Sequence, residues 1–161
     1  MLTIPYCKQE TGYDCGPAVA RMVLAFFGRY DDEAHLRSLM KTDAASGTSN
    51  RALLDVMRSH GLHATVLEEA DIDAIETSIS RGIPVIVNYI NPATGHGHFA
   101  VVIGCTASTI TLNDPKNGEG YSLPTGVFNA HWRSGDGLHH RWMLAVSTAP
   151  IGSDGAEAML Q

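Results

Sequence analysis

A chain of 161 residues, 44% hydrophobic and 17% charged, has the length and composition of one globular domain and excludes a largely disordered polypeptide. Eleven basic against seventeen acidic side chains give a net charge of −6, which argues against nucleic-acid phosphates or an anionic membrane surface as partners. No apolar run approaches the ~18 residues of a membrane span, so direct membrane insertion is not expected.

The N-terminal residues Met1 to Pro5 lack the basic-then-apolar pattern of a signal peptide. Cys7, Cys15 and Cys105 are odd in number and form no C-x-x-C pair, which fits a reducing compartment and a cytoplasmic location. In chain order, the first helix is expected from Cys15 to about Phe27. Asp14 is its N-cap, Pro17 lies in the first turn, and Gly28 stops it. Val19, Met22, Val23 and Phe26 supply its buried stripe. A second helix is expected over residues 32–41, opened by Asp31, Asp32 and Glu33, whose charge suits a helix N-terminus. A polar loop follows from Thr42 to Ser49, then a third helix over residues 50–60. His63 to Leu67 reads as a short strand, and Asp71 caps a fourth helix ending at Gly82. The period then changes. Pro84 to Tyr89, Phe99 to Gly104, Ile110 to Asn113 and Arg141 to Ser147 are short apolar runs bounded by Gly, Pro and Asn, the pattern of strands. A short helix is expected between Thr125 and Trp132. Helices first and antiparallel strands later make an α+β fold over residues 1–148, with residues 149–161 as a flexible tail.

Cys15 is the first residue to weigh for chemistry. A thiol in the first turn of a helix faces free backbone N–H groups and the positive end of the dipole, and both favour thiolate. Gln9, six residues upstream, could donate an amide hydrogen bond to an oxyanion alongside the Cys15 N–H. His98 opens one apolar strand and Asp114 closes the next. A hairpin turn centred on Thr106 would set these two directly opposite each other, ~4.5–5.5 Å apart at Cβ, where an acid can orient an imidazole. Each residue alone has an ordinary reading: Cys15 as a small core side chain, Gln9 as a solvated amide, Asp114-Pro115 as a turn opener. His96 with His98 and the adjacent pair His139-His140 raise a metal site, but no H-E-x-x-H, cysteine pair or acid cluster accompanies them.

The order Gln, Cys at a helix start, His at a strand start, then Asp on the next strand is that of papain-like thiol enzymes. Gln9 to Met22, with its Gln-x5-Cys-Gly-Pro-Ala-x-x-x-Met pattern, resembles the double-glycine leader peptidases, the papain-like domains at the front of bacteriocin exporters. The core Asp14-Cys15-Gly16, the start His98-Phe99, the turn Asp114-Pro115-x-x-Gly118 and the pair Phe128 and Trp132 are similar to motifs of the same family. The resemblance implies a papain-like cysteine peptidase fold, with an N-terminal helical half packed on a C-terminal antiparallel sheet. It implies Cys15 as nucleophile, His98 as proton shuttle, Asp114 as the orienting acid and Gln9 in the oxyanion hole. It implies no cofactor, a peptide or protein substrate such as a leader cut after small residues, and a membrane exporter in trans as a further partner. Two alternatives stand beside it: another thiol acyl transfer (amidase, deamidase or transpeptidase, as in a toxin), and a peptide-binding module without turnover.

Overall fold

Alternation within the apolar runs decides the architecture. The computed structural model describes residues 1–151 and runs α1 (Cys15–Phe26), α2 (Glu33–Leu39), α3 (Asn50–Ser59), β1 (His63–Leu67), α4 (Ile72–Ser80), β2 (Val85–Ile90), β3 (Gly97–Cys105), β4 (Thr109–Asp114), β5 (Gly118–Pro124), α5 (Thr125–His131) and β6 (Met143–Ser147). The strands form one six-stranded sheet in the order β1-β6-β2-β3-β4-β5, and all its pairings are antiparallel. Ile86, Phe99, Val101, Ile103, Leu144 and Val146 point to one face and pack against α1 and α3. Their neighbours Val85, Val87, Ala100, Val102, Met143 and Ala145 point to the other and meet residues of α4 and α5. Both faces are therefore covered, which is why β2, β3 and β6 read as continuous apolar runs rather than as a polar–apolar alternation.

The expected α+β class and the helical N-terminal half hold, with α4 and α5 adding a layer behind the sheet. Asp71 caps the fourth helix as expected, accepting the Ala74 N–H at 2.8 Å, and Asp32, one of the acids expected to open the second, accepts the His35 N–H at 2.7 Å. Ser49, which the sequence reading placed only at the end of a polar loop, caps α3 by accepting the Ala52 N–H at 3.1 Å. The strand β5 was not expected. Gly118, Gly120 and Pro124 dilute its β-signal, and as the sheet's edge strand it buries only Leu123, so its sequence lacks the apolar alternation of the inner strands.

The β3–β4 hairpin departs from the expected register. Its turn is Ala107-Ser108, closed by Thr106 N–H to Thr109 O at 2.8 Å, so Cys105 pairs with Ile110 and His98 does not sit opposite Asp114. An unbroken ladder from that turn would put His98 and Asp114 on opposite faces. A bulge at Ile103 shifts the pairing by one, so that Val102 meets Leu112 and Val101 meets Asn113. His98 and Asp114 then share a face as diagonal neighbours, within reach of an aromatic side chain. The expectation for residues 149–161 falls mainly outside the described residues, while Ile151 still packs against the α4 and α5 side.

Candidate active site

Helix α1 is buried along most of its length: Gly16 to Ala20 and Met22 to Leu24 are all enclosed. Cys15 is its first residue and stays partly exposed, so the thiol opens to the surface while the helix behind it is fixed. Asp14 occupies the cap position, and its carbonyl accepts from Ala18 N–H at 3.0 Å, but its side chain makes no capping bond. The fully buried Asp14 carboxylate instead pairs with the Arg37 guanidinium, Nε lying 2.9 Å from Oδ1. Glu33, also on α2, accepts the Glu10 N–H at 2.7 Å. One short helix thus holds both ends of the loop that leads into Cys15. Gly16 is required by contact, since a Cβ there would lie 2.2 Å from Thr48 Oγ1, which is itself 2.6 Å from Thr42 Oγ1.

His98 and Asp114 meet with His98 Nε2 2.6 Å from Asp114 Oδ1. That leaves Nδ1 for Cys15, whose hydrogen bond and charge both reach the ring. Burial alone would hold His98 neutral. The hydrogen bonds to Asp114 and Cys15, with their charges, outweigh it and push its pKa up to about 9. Burial likewise works against the Asp114 carboxylate, but the His98 bond and charge, the Tyr89 hydroxyl and the Asn117 N–H hold its pKa below the ordinary carboxylate value. The carboxylate is fully enclosed. Its Oδ1 also accepts the N–H groups of Lys116 and Asn117 at 2.9 and 2.8 Å, and its Oδ2 accepts from the Tyr89 hydroxyl and, at 3.3 Å, from Asn117 Nδ2. The sequence carries no local signal for Tyr89, Arg37 or Thr48, because each acts on a partner far away in the chain, whereas Asn117 acts on Asp114 three residues before it, within the Asp114-Pro115-x-x-Gly118 turn.

Gln9 is tied to the same turn by its N–H to Pro115 O at 3.1 Å. Its amide Nε2 donates to Thr11 O at 2.7 Å, and its Oε1 is buried without a partner; turning the amide over would set two carbonyl oxygens against each other, so the nitrogen belongs on Thr11. One amide N–H remains uncommitted. Cys15 and His98 open into a cleft of about 1190 Å³ walled by the 40–49 loop with the start of α3 on one side and by residues 134–139 on the other. At the foot of His98, Gly97 and Gly135 touch backbone to backbone, a Cβ on Gly97 falling 2.7 Å from Gly135 N. The Asn91–Gly97 loop, expected either to shape access or merely to join two strands, lines this cleft and is closed on itself by Asn91 N–H to His96 O at 2.8 Å and Gly95 N–H to Asn91 O at 2.7 Å.

The other two thiols lie outside this cleft, whereas His96 and His139 are among its lining residues. Burial pushes the Cys7 and Cys105 thiols up to about 11, which keeps them protonated and poor nucleophiles at neutral pH. His139 and His140 pair with Glu68 and Glu69 at 2.6 and 2.8 Å. Among the described residues, no group of three or more His, Cys, Asp or Glu side chains could hold a metal ion, and no helix is long and apolar enough to cross a membrane.

A family model described as "Peptidase_C39 like family" matches residues 1–138. The chain belongs to this family. Among curated relatives, it is 34% identical over 110 residues to the pediocin PA-1 transport/processing ATP-binding protein PedD of Pediococcus acidilactici, covering 68% of this chain and 15% of that protein. It is 33% identical over 111 residues to an uncharacterized protein of Methanothermobacter marburgensis, covering 69% and 71%. The peptidase domain of Streptococcus ComA superposes with a TM-score of 0.71 at 23% identity, covering 89% of this chain and 98% of that one. A putative C39-like peptidase from Bacillus anthracis gives 0.69 at 15% identity, covering 92% and 96%. These likenesses bear out the papain-like C39 fold that the motifs around Cys15 and His98 imply. The matched region is thus a small part of PedD and most of the Methanothermobacter protein.

Proposed function

We propose that this chain is a cysteine peptidase that cuts a peptide or protein substrate by Cys-His-Asp chemistry. The observation that carries the reading is the imidazole of His98, held by buried Asp114 on Nε2 and in hydrogen-bond contact with Cys15 at the mouth of a cleft. The Cys15 thiolate attacks the scissile carbonyl, and the oxyanion that forms takes hydrogen bonds from the Cys15 N–H and the free Gln9 amide N–H. His98 passes its proton to the leaving amine. It then takes a proton from water, which displaces Cys15 from the thioester and releases the carboxylic acid product. Asp114 fixes the tautomer and stabilises the imidazolium throughout. No step calls for a cofactor.

The substrate we propose is a leader-type peptide cut after small residues. Gly12, Ala44, Ala45 and Gly47 on the cleft walls and the Gly97–Gly135 contact beneath His98 leave a passage suited to an extended chain with small side chains. The printed names of relatives point the same way: PedD is a transport/processing protein, and a solved neighbour with a TM-score of 0.67 is a double glycine motif protease in complex with its leader peptide. A membrane exporter in trans would be the partner that carries the cleaved product. Three free cysteines suit a cytoplasmic location.

Iodoacetamide alkylation of each cysteine against pH, read by mass spectrometry, tests the chemistry. Cys15 is expected to react at pH 6 at least ten times faster than Cys7 and Cys105, and to lose that advantage in His98→Ala. Equal rates at the three thiols, or a Cys15 rate indifferent to His98, would overturn the reading.

A further inference from the structure

Asp14 stands immediately before the nucleophile and is fully buried, yet its carboxylate makes no capping bond to α1. A side chain in the cap position accepts from the second or third N–H of the helix. The third residue of α1 is Pro17, which has no N–H, so Gly16 carries the one donor that Asp14 could take. That N–H is without a partner among the described residues, as is the Cys15 N–H before it. A carboxylate seated there would occupy the open end of the helix. It would also place a negative charge where the Cys15 thiolate, and later the oxyanion, must form.

Arg37 on α2 holds that carboxylate elsewhere. Its Nε lies 2.9 Å from Asp14 Oδ1 and 3.0 Å from Oδ2, and its Nη2 also donates to Oδ2. A fork that engages both oxygens fixes the plane of the carboxylate as well as its place. The same Nη2 lies 3.5 Å from Glu10 Oε2, and Glu10 follows Gln9, so one guanidinium spans the loop between the oxyanion donor and the nucleophile. Other titratable groups face this corner. Tyr13 and Glu10 bear on Arg37, and His98 meets Cys15 from the sheet. Glu33, also on α2, is raised above its ordinary value chiefly by burial, with the Glu10 and Asp14 charges adding to the rise and Arg21 opposing it. Among the described residues, Arg37 is the one cation paired with Asp14.

We propose that Arg37 is a positioning residue for the nucleophile, acting through Asp14. By binding that carboxylate it neutralises the charge beside Cys15 and keeps the first N–H groups of α1 open to the thiolate and the oxyanion. The proposal rests on the reading of Cys15 as the attacking thiol.

The test is the pH profile of iodoacetamide alkylation at Cys15 in the full chain, read by mass spectrometry. A change of charge beside the thiol moves the midpoint of the profile, whereas a loosened loop changes the limiting rate and leaves the midpoint in place. Arg37→Gln keeps a donor for Asp14 and removes the cation, and it is expected to move the midpoint up by about one pH unit. Asp14→Asn leaves the cation without its acid and should move the midpoint down. Asp14→Asn/Arg37→Gln removes both charges and should return it close to wild type, since a buried pair is better replaced whole than halved. An unmoved midpoint in Arg37→Gln, or a midpoint raised in Asp14→Asn as well, would overturn the proposal and leave Arg37 as a support of the loop alone. Urea denaturation accompanies each variant. Should Arg37→Gln lack a folded baseline, Asp14→Asn decides: a lowered midpoint supports the proposal, and an unchanged or raised one overturns it. The wild-type comparison of Cys15 with Cys7 and Cys105 is a separate readout, so a failed positioning role and a failed nucleophile are told apart.

Discussion

Asp114 is the residue on which the site converges, and the donors around it decide how strongly it pulls on His98. Five hydrogen bonds reach its two oxygens, from His98, Lys116, Asn117 twice, and Tyr89, with the Tyr6 hydroxyl donating to the Asp114 carbonyl at 2.9 Å instead. The Tyr89 hydroxyl is the donor with most leverage, since it is buried, and its pKa is driven far up by that burial and by the Asp114 charge, which keeps it a neutral donor at every working pH. A hydrogen bond to a charged group contributes roughly 1.5–3 kcal/mol, and one pH unit corresponds to 1.36 kcal/mol. Tyr89→Phe removes that donor and leaves a similar shape. Negative charge then concentrates on the oxygen facing His98, so the imidazolium is held more firmly. We expect the His98 imidazole, followed by NMR against pH, to titrate about one pH unit higher in Tyr89→Phe than in wild type, with little change in the Cys15 alkylation rate at pH 6. A variant that loses thermal stability with no movement of the His98 titration would show the hydroxyl to be structural only.

The elements meet at tight places, and the tightest is α1 against the 42–48 loop. Gly16→Ala would drive its Cβ into both Oγ1 and Cβ of Thr48, at 2.2 and 2.4 Å, so the loop must retreat and the Thr42–Thr48 contact must open. Overpacking of this kind costs about 1–3 kcal/mol. We expect urea denaturation of Gly16→Ala to show a loss in that range and Cys15 alkylation to slow, with Thr48→Gly recovering part of both in a double-mutant cycle. Additive losses would mean that the two residues do not meet. This contact also marks what was legible in the sequence. The helix stripe of α1 and the inner strands declare themselves through local patterns of 3.6 and 2 residues, and Asp32 and Asp71 through their place at helix starts. Cys15, His98 and Asp114 were legible because each sits at the end of such an element. The Ala107-Ser108 turn and the bulge at Ile103 were not, since turn length and a single unpaired residue leave apolar alternation nearly unchanged. Nor was the second role of Asp14, whose place before a helix reads as a cap while its true partner, Arg37, lies on another helix. Gly16 could be flagged as a motif residue, but only the position of Thr48 explains why no side chain fits.

At the scale of the whole molecule, the site joins the helical layer, which brings Cys15, to the sheet, which brings His98 and Asp114, so its protonation is linked to global stability. His98 has a pKa of about 9 in the folded chain against 6.5 as an isolated side chain. A group raised in this way stabilises the fold fully below its unfolded value, and the stabilisation is lost as pH rises through the folded value. Asp114 has the opposite sense: its lowered pKa contributes above the ordinary carboxylate range and is lost as pH falls through the folded value. Stability should therefore be greatest between these limits and decline from about pH 6.5 upward. At one pH unit per 1.36 kcal/mol, the His98 contribution lost by pH 8.5 is about 2 kcal/mol. Keeping to that range matters, because Cys7 and Cys105 are raised from 9.0 to about 11 and begin to destabilise the fold themselves once unfolded thiols ionise. Urea denaturation at pH 6.5, 7.5 and 8.5 should show the decline most clearly in Cys15→Ala, where Asp114 alone holds the imidazolium, and a nearly flat line in the double variant Cys15→Ala/His98→Ala. Wild type should decline less steeply than Cys15→Ala, because a thiolate formed beside the imidazolium gives up a proton as His98 takes one. A flat line in Cys15→Ala would mean that the imidazolium is not held by the fold, and a wild-type slope equal to that of Cys15→Ala would mean that no thiolate forms with it across the two layers.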